Sequence, residues 1–310
     1  MLAPAYNALM QMKRSQHYLP KFYLKHFAMP NGRLWCYRRN AKRFMSNIDD
    51  ICCQRDLHET KSSDPHRPND FVNQNHIENA LSEKEARIAS DYEFLLECCA
   101  CRDFSNPHFQ KSLDTISQLP GFFIERQPYS IENYRKASEE LADNFTIQGR
   151  LSEEDLLLCK KQGYENELPA IIHHFIMQET IINSDEEILP VHRFSKALRA
   201  LSFYVIEAPP ATQFISCSCP LYLILETSDY TKIHRALFPL SSKYCALFIK
   251  EKKSRQGLSM ATYNRVAAIN QQLLLNAPLW TIAFSRNELP LAKAQTSYEL
   301  AGCPTSSFCP

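Results

Sequence analysis

Two histidines, a proline and four large aromatics fall within one short stretch, QHYLPKFYLKHF, from Gln16 to Phe27. His17 is the residue there with chemistry to offer. An imidazole titrates near neutral pH, so it can act as a general base or donate to a phosphate. The structural alternative is a packed ring, bonded to a backbone carbonyl, that fixes the turn at Pro20. Glu78 and Glu85 stand seven residues apart, two helical turns, with Ser82 between them on one face. Two such carboxylates can join a metal or hold His17. They can equally form a solvated face, with Glu78 complementing a helix N-terminus. Cys98, Cys99, Cys101 and His108 are spaced too closely for an ordinary zinc knuckle, and no metal ligands are assigned. Cys217 and Cys219 flank Ser218 after a strand, but no cationic neighbour is present to lower a thiol pKa.

A second candidate feature is electrostatic. Residues 1–48 hold nine Lys or Arg and no Asp or Glu. Lys21, Lys25, Arg38 and Arg39 are the candidate phosphate or nucleic-acid contacts, because Tyr18, Phe22, Tyr23, Trp35 and Tyr37 interleave with basic residues. The alternative is that the rings are core and the charges balance acids elsewhere. The six glycines are scattered, which excludes a P-loop, a kinase glycine loop and a dinucleotide fingerprint. There is no G-x-S-x-G elbow and no H-E-x-x-H helix.

The whole chain frames these residues. Its 310 residues, 45% hydrophobic and 22% charged with net charge +1, suit one large domain or two modest ones. No apolar run reaches the roughly eighteen residues needed to span a bilayer. The first basic residues follow a weakly apolar stretch, the reverse of a secretory signal. The expectation is a cytoplasmic protein without a membrane partner. Twelve cysteines without regular spacing then read as thiols.

The elements that must position the candidates follow from periodicity. Leu19–Phe27 reads as a short helix or turn, and Arg33–Arg39 as a strand. Thr60–Asp70 reads as a surface loop. Ile77, Leu81, Ile88, Tyr92, Leu95 and Cys99 make one helical stripe over about Asn75–Cys99. Further helices are predicted over Phe109–Leu119, from Ser130, from a capping box at Ser152–Asp155, and over Leu168–Asn183. After Leu201 the pattern changes to short apolar runs: LSFYVIEA, QFISC, LYLILE and YCALFI. A late helix, Ser259–Asn276, precedes a last strand in LWTIAFS. The fold class is α+β: a short N-terminal β element, a helical middle, and a C-terminal mixed or antiparallel sheet with one late helix.

Several stretches together resemble the domain of unknown function 4238 family. QHYLPKFYLKHFAMPNGRLWCYRR is similar to the family's H-Y-V-P-x-F-Y-L opening and the strand after it. IENALSEKEARIA resembles its E-x-x-L-S-x-x-E helix, and FFIERQPYSIENYRK its middle helical segment. ALFPLSSKYCALFI and YNRVAAINQQLLLNAPLWTIAFS resemble its P-L-S segment and closing helix and strand. ALRALSFYVIEAPPATQFISCSCPL resembles the segment ending in F-I-T-S-D-N-P, with Ser218 in place of the aspartate and Cys219 in place of the asparagine. If that aspartate is a ligand or base in relatives, this chain has lost it; if it caps a turn, serine does similar work. The resemblance implies one family domain over 15–287, comprising a basic aromatic opening (15–60), a helical part (70–200) and a sheet-containing part (201–287). Residues 1–14 are then an extension and 288–310 an irregular tail. A separate string, Arg102-Asp103 with His108, is similar to the R-x4–6-H motif of HEPN ribonucleases, although Pro107 should break the helix.

The leading expectation is a nuclease-like, phosphate-handling hydrolase of the effector kind. Its site would combine His17, the basic opening residues, Glu78 or Glu85, and the Ser216–Pro220 turn. The alternative is a non-catalytic binding or regulatory protein with a degenerate site. Nucleic acid and a protein surface are the two open partners, and a divalent metal is the one open cofactor.

Overall fold

A computed structural model describes residues 15–38, 42–147, 166–183, 190–229, 231–251, 256–275, 280–283 and 287. The chain divides into two compact units. Unit 1 takes Met1–Tyr18, Cys53–Lys84 and Pro128–Asn183; unit 2 takes Leu19–Cys52, Glu85–Gln127 and Ser184–Pro310. The architecture is α+β, as the pattern predicts.

In unit 1, strand β1 (Ser15–His17) pairs antiparallel with β4 (Cys53–Arg55), placing His17 opposite Cys53. Strand β5 (Thr60–Lys61) pairs with β6 (Phe71–Val72). The expected surface loop over 60–70 is therefore closed at its base by a two-residue ladder. Helix α2 (His76–Cys101) contributes its first nine residues to this unit. Helices α4 (Pro128–Ile147) and α5 (Leu168–Met177) pack against each other, and α5 also meets β5 and β6. A π-helical turn, Gln178–Ile182, continues α5. Helix α4 starts at Pro128 rather than at the predicted Ser130 cap, because proline's missing N–H costs nothing in a first turn.

Unit 2 holds two larger sheets. One runs β3 (Phe44–Asn47), β2 (Arg33–Arg38), β13 (Trp280–Ala283), β8 (Ser216–Cys217), antiparallel throughout. The other runs β12 (Gln256–Met260), β7 (Ser202–Glu207), β11 (Tyr244–Ile249), β10 (Ile233–Pro239), β9 (Tyr222–Leu225). Only β12 is parallel to its neighbour, so the sheet is mixed. Strand β10 and helix α6 (Pro190–Arg199) lie outside the predicted elements, and β12 overlaps the start of the predicted late helix at Ser259 and Met260. The late helix, α7, covers Tyr263–Leu275, because 256–260 is drawn into β12. Its Val266, Ile269 and Leu273 join Ile206, Phe214, Ile215, Leu237 and Leu247 in one buried cluster. Asn270 Nδ2 donates to the Gln213 carbonyl at 2.8 Å, while its Oδ1 accepts from the Ile215 N–H at 3.1 Å. This amide anchors the approach to β8.

Helix α1 is one turn, Lys21–Leu24, followed by a 3₁₀ turn, Lys25–Phe27. The N–H groups of Tyr23 and Leu24 donate to the Pro20 carbonyl, so Pro20 starts the turn as predicted. Helix α3 runs Pro107–Glu125, past the predicted end at Leu119 and through Pro120-Gly121. Proline removes one backbone hydrogen bond, yet Ile116, Leu119, Phe122 and Phe123 continue one buried face across it, and that burial outweighs the loss. The predicted capping box at Ser152–Asp155 and the tail from 288 lie outside the described residues.

Candidate functional site

The sequence-selected residues fall two and two over the units. His17 and Glu78 belong to unit 1; Glu85 and Ser218 belong to unit 2. Each pair enters a different hydrogen-bond network.

In unit 1 the network centres on His58 and Glu59. Gln16 is fully buried. Its Oε1 accepts from the His58 N–H at 2.6 Å and its Nε2 donates to Glu59 Oε1 at 2.8 Å. Glu59 Oε2 accepts from the Asn75 N–H at 3.0 Å. His58 Nδ1 lies 2.9 Å from Glu78 Oε2, with the imidazole wholly buried. An ionised carboxylate only accepts, so Nδ1 carries the proton. Gln16 and Glu78, from the opening stretch and the E-x-x-L-S-x-x-E helix, thus meet through the segment leading into β5. His17 is 8% exposed on β1. Ser82 Oγ turns back to donate to the Glu78 carbonyl.

That network fixes Thr60 beside a cleft of about 300 Å³. The cleft is lined by Thr60, Ser62, Ser63, Arg135 and His173 among others. Thr60 Oγ1 and His173 Nδ1 are 3.3 Å apart. Burial pushes His173 from its ordinary 6.5 down to about 4; the Ile131 carbonyl pulls it partly back, while Arg135 and His174 press it lower. The imidazole is neutral at pH 7, and its Nε2 makes no hydrogen bond of ordinary geometry. Arg135 is clamped by Glu132 and Glu139 on the exposed face of α4. Glu167, 5% exposed, accepts from Ser62 Oγ and from the Ser63 N–H. Lys61 also borders a second, wider cleft of about 810 Å³ with Arg55, Asn69, Phe71 and Gln74.

In unit 2 the network knits five of the family-like stretches. Glu85 Oε1 accepts from Arg126 at 2.5 Å, and that guanidinium is 1% exposed and stacked 4.9 Å from the Phe122 ring. The neighbouring Gln127 donates to the Ser218 carbonyl at 2.7 Å. Ser218 is buried in the turn after β8. Tyr23 OH lies 2.7 Å from Ser216 Oγ and donates to the Pro239 carbonyl at 3.0 Å. Tyr92 OH donates to the Leu240 carbonyl. Burial also pushes the Cys219 thiol up to about 11 and the Cys217 thiol well above its ordinary value, so neither is a thiolate at neutral pH.

These stretches together match a known family. The family model described as Protein of unknown function (DUF4238) matches residues 15–288. The chain belongs to that family. No curated protein and no solved structure matches it. The positions carrying the DUF4238 resemblance are thus the ones that join distant segments within each unit: Gln16 and Glu78 in one, Tyr23, Glu85, Gln127 and Ser216 in the other.

Of the basic residues, Lys21 pairs with Asp49 at 2.5 Å and Lys25 with Glu93. Arg38 ends β2 on its exposed side, and Arg39 lies outside the described residues. The Arg102–His108 string does not share a helix: α2 ends at Cys101 and α3 begins at Pro107. Arg102 donates to Glu207 at 3.1 Å, and His108 sits edge-on to Phe94. Among the described residues, no group of three or more His, Cys, Asp or Glu side chains is placed to hold a metal, and no helix is long and apolar enough to cross a membrane. Sequence reasoning passed over Gln16, His58, Thr60, Arg135 and His173. The one available signal was the pair His173-His174 inside the otherwise apolar run of α5.

Proposed function

We propose that this member of the family is a phosphate-handling, nuclease-like hydrolase working at the smaller cleft of unit 1. The observation that carries the reading is the Thr60–His173 pair. A hydroxyl stands 3.3 Å from the nitrogen of a neutral imidazole, on a cleft that also holds a guanidinium. A neutral imidazole can take a proton from a hydroxyl or a water. At about 4 its pKa is low for a base, but an anion entering the cleft favours the charged form and raises it toward the working range. Arg135 is the anchor for that anion. Its present partners, Glu132 and Glu139, are about half exposed. Such pairs contribute only about 0–1 kcal/mol, so a bidentate phosphate contact displaces them at little cost. In this reading Gln16, His17, His58 and Glu78 are positioning residues that hold the segment carrying Thr60.

The test is turnover of single-stranded RNA, DNA, tRNA and an activated phosphodiester by the full chain, with and without divalent metal, against His173→Gln and Arg135→Met. The expected loss for His173→Gln is about 10²–10⁴-fold with the circular dichroism unchanged. Turnover that survives His173→Gln refutes the site.

A second reading, a non-catalytic binding or regulatory protein, is favoured by a different observation: Glu78 and Glu85 each already hold a buried cationic or imidazole partner. Absence of turnover on every substrate, with binding that barely responds to salt, selects this reading over a nucleic-acid ligand, whose affinity falls steeply with salt.

A further inference from the structure

His76 opens α2 and His174 lies on α5, both within unit 1. Their ring centroids are 5.3 Å apart with the planes tilted by 36°. Three of their four ring nitrogens, His76 Nδ1 and both nitrogens of His174, are buried without a hydrogen-bond partner. Each residue as a whole keeps partial exposure, which leaves a way in. A buried nitrogen left unpaired loses the hydrogen bond that water would give it, so three side by side call for something that bonds them.

We propose that His76 and His174 form a two-histidine site for a divalent ion of the zinc class, with water or a small exogenous donor completing the coordination. The spacing supports this chemistry. Two imidazoles bound to one ion at about 2.0–2.1 Å and the tetrahedral angle place their ring centroids roughly 5 Å apart. Linear coordination would separate them further, so the geometry favours zinc over a two-coordinate soft ion. No third His, Cys, Asp or Glu among the described residues completes the set. The remaining positions of a four-coordinate ion would then fall to water or the exogenous donor. Binding requires neutral imidazoles. The π-helical turn Gln178–Ile182 begins one helical turn beyond His174, and such turns inside helices are frequent at functional sites. This proposal is independent of the hydrolase reading, since it concerns ion binding and not turnover.

The experiment is zinc titration of the full chain at pH 7.5 against a chromogenic chelator, with His76→Asn and His174→Asn alongside. Cobalt substitution reports the ligands, because thiolate coordination gives a near-ultraviolet charge-transfer band that imidazole does not. The expected result is one ion per chain, no thiolate band, and an affinity reduced at least about tenfold in each variant, the lower end of what even outer-shell changes cost. Should the variants misfold, X-ray absorption on the zinc-loaded wild type decides, with two imidazoles and no sulfur expected. No zinc uptake, a thiolate band, sulfur scattering, or folded variants that bind as the wild type does would each overturn the proposal, leaving the nitrogens bridged by water.

Discussion

His173 makes the stability of unit 1 sensitive to acid, and the size of the effect follows from its surroundings. The ring is 7% exposed and its pKa is depressed from 6.5 to about 4. Between those values the unfolded chain binds a proton that the native chain refuses. Stability is therefore fully present above pH 6.5 and is lost as the pH falls toward 4. Integrating between pH 7 and pH 5 with pKa values of 6.5 and about 4 gives a loss of about 2 kcal/mol. The perturbation is His173→Gln, which cannot titrate. It loses the contact to Thr60 at every pH, so the informative quantity is the slope and not the level. Urea unfolding followed by far-ultraviolet circular dichroism at pH 7, 6 and 5 measures it. The wild type should lose about 2 kcal/mol more than the variant over this range. Equal slopes for the two proteins would refute the reasoning, because the proton uptake would then belong to other groups.

Glu125 should act with the opposite sign. Burial pushes it up to about 7, so its contribution is present below the ordinary 4.5 and is lost as the pH rises through 7; Glu125→Gln should flatten that decline in unfolding curves from pH 5 to 8. Glu85→Gln should destabilise unit 2 by roughly 3 kcal/mol, since Arg126 is left buried without its carboxylate. The double change Glu85→Leu with Arg126→Met should recover most of that in the same denaturation assay. Tyr23→Phe should cost about 1–3 kcal/mol, because Ser216 and the Pro239 carbonyl lose a buried partner; thermal unfolding reads it directly.

The long helix was legible because its signal is local. Ile77, Leu81, Ile88, Tyr92, Leu95 and Cys99 repeat at helical spacing and are all buried. Strands rich in β-branched and aromatic residues, such as β7 and β11, were legible for the same kind of reason. Strand β12, QGLSM, has no such residues; it exists because β7 offers it a parallel edge. Strand β10 mixes polar residues and ends in proline, and pairing on both sides holds it. The candidate site was harder still. Gln16 and Glu59 are 43 residues apart, and Thr60 and His173 are 113 apart. No periodicity encodes such meetings. Glu78 and Glu85 do stand two turns apart on one helix, as their spacing required, but each is recruited by a buried partner from elsewhere in its own unit.

The interleaving of the chain has a consequence for how the protein is made. Unit 1 draws on three separated pieces of sequence and cannot be completed until residue 183 has been synthesised. Unit 2 waits longer, because β13, at 280–283, lies between β2 and β8 in its four-stranded sheet. Domains usually fold in order as they leave the ribosome. Here the basic opening segment, Lys21 to Arg38, must wait for nearly the whole chain before its strand is paired on both sides. Long-range pairing of this kind folds slowly and leaves apolar edges uncovered meanwhile. A fragment ending anywhere before residue 280 should therefore be recovered as aggregate, and neither unit can be expressed as a simple stretch of the gene.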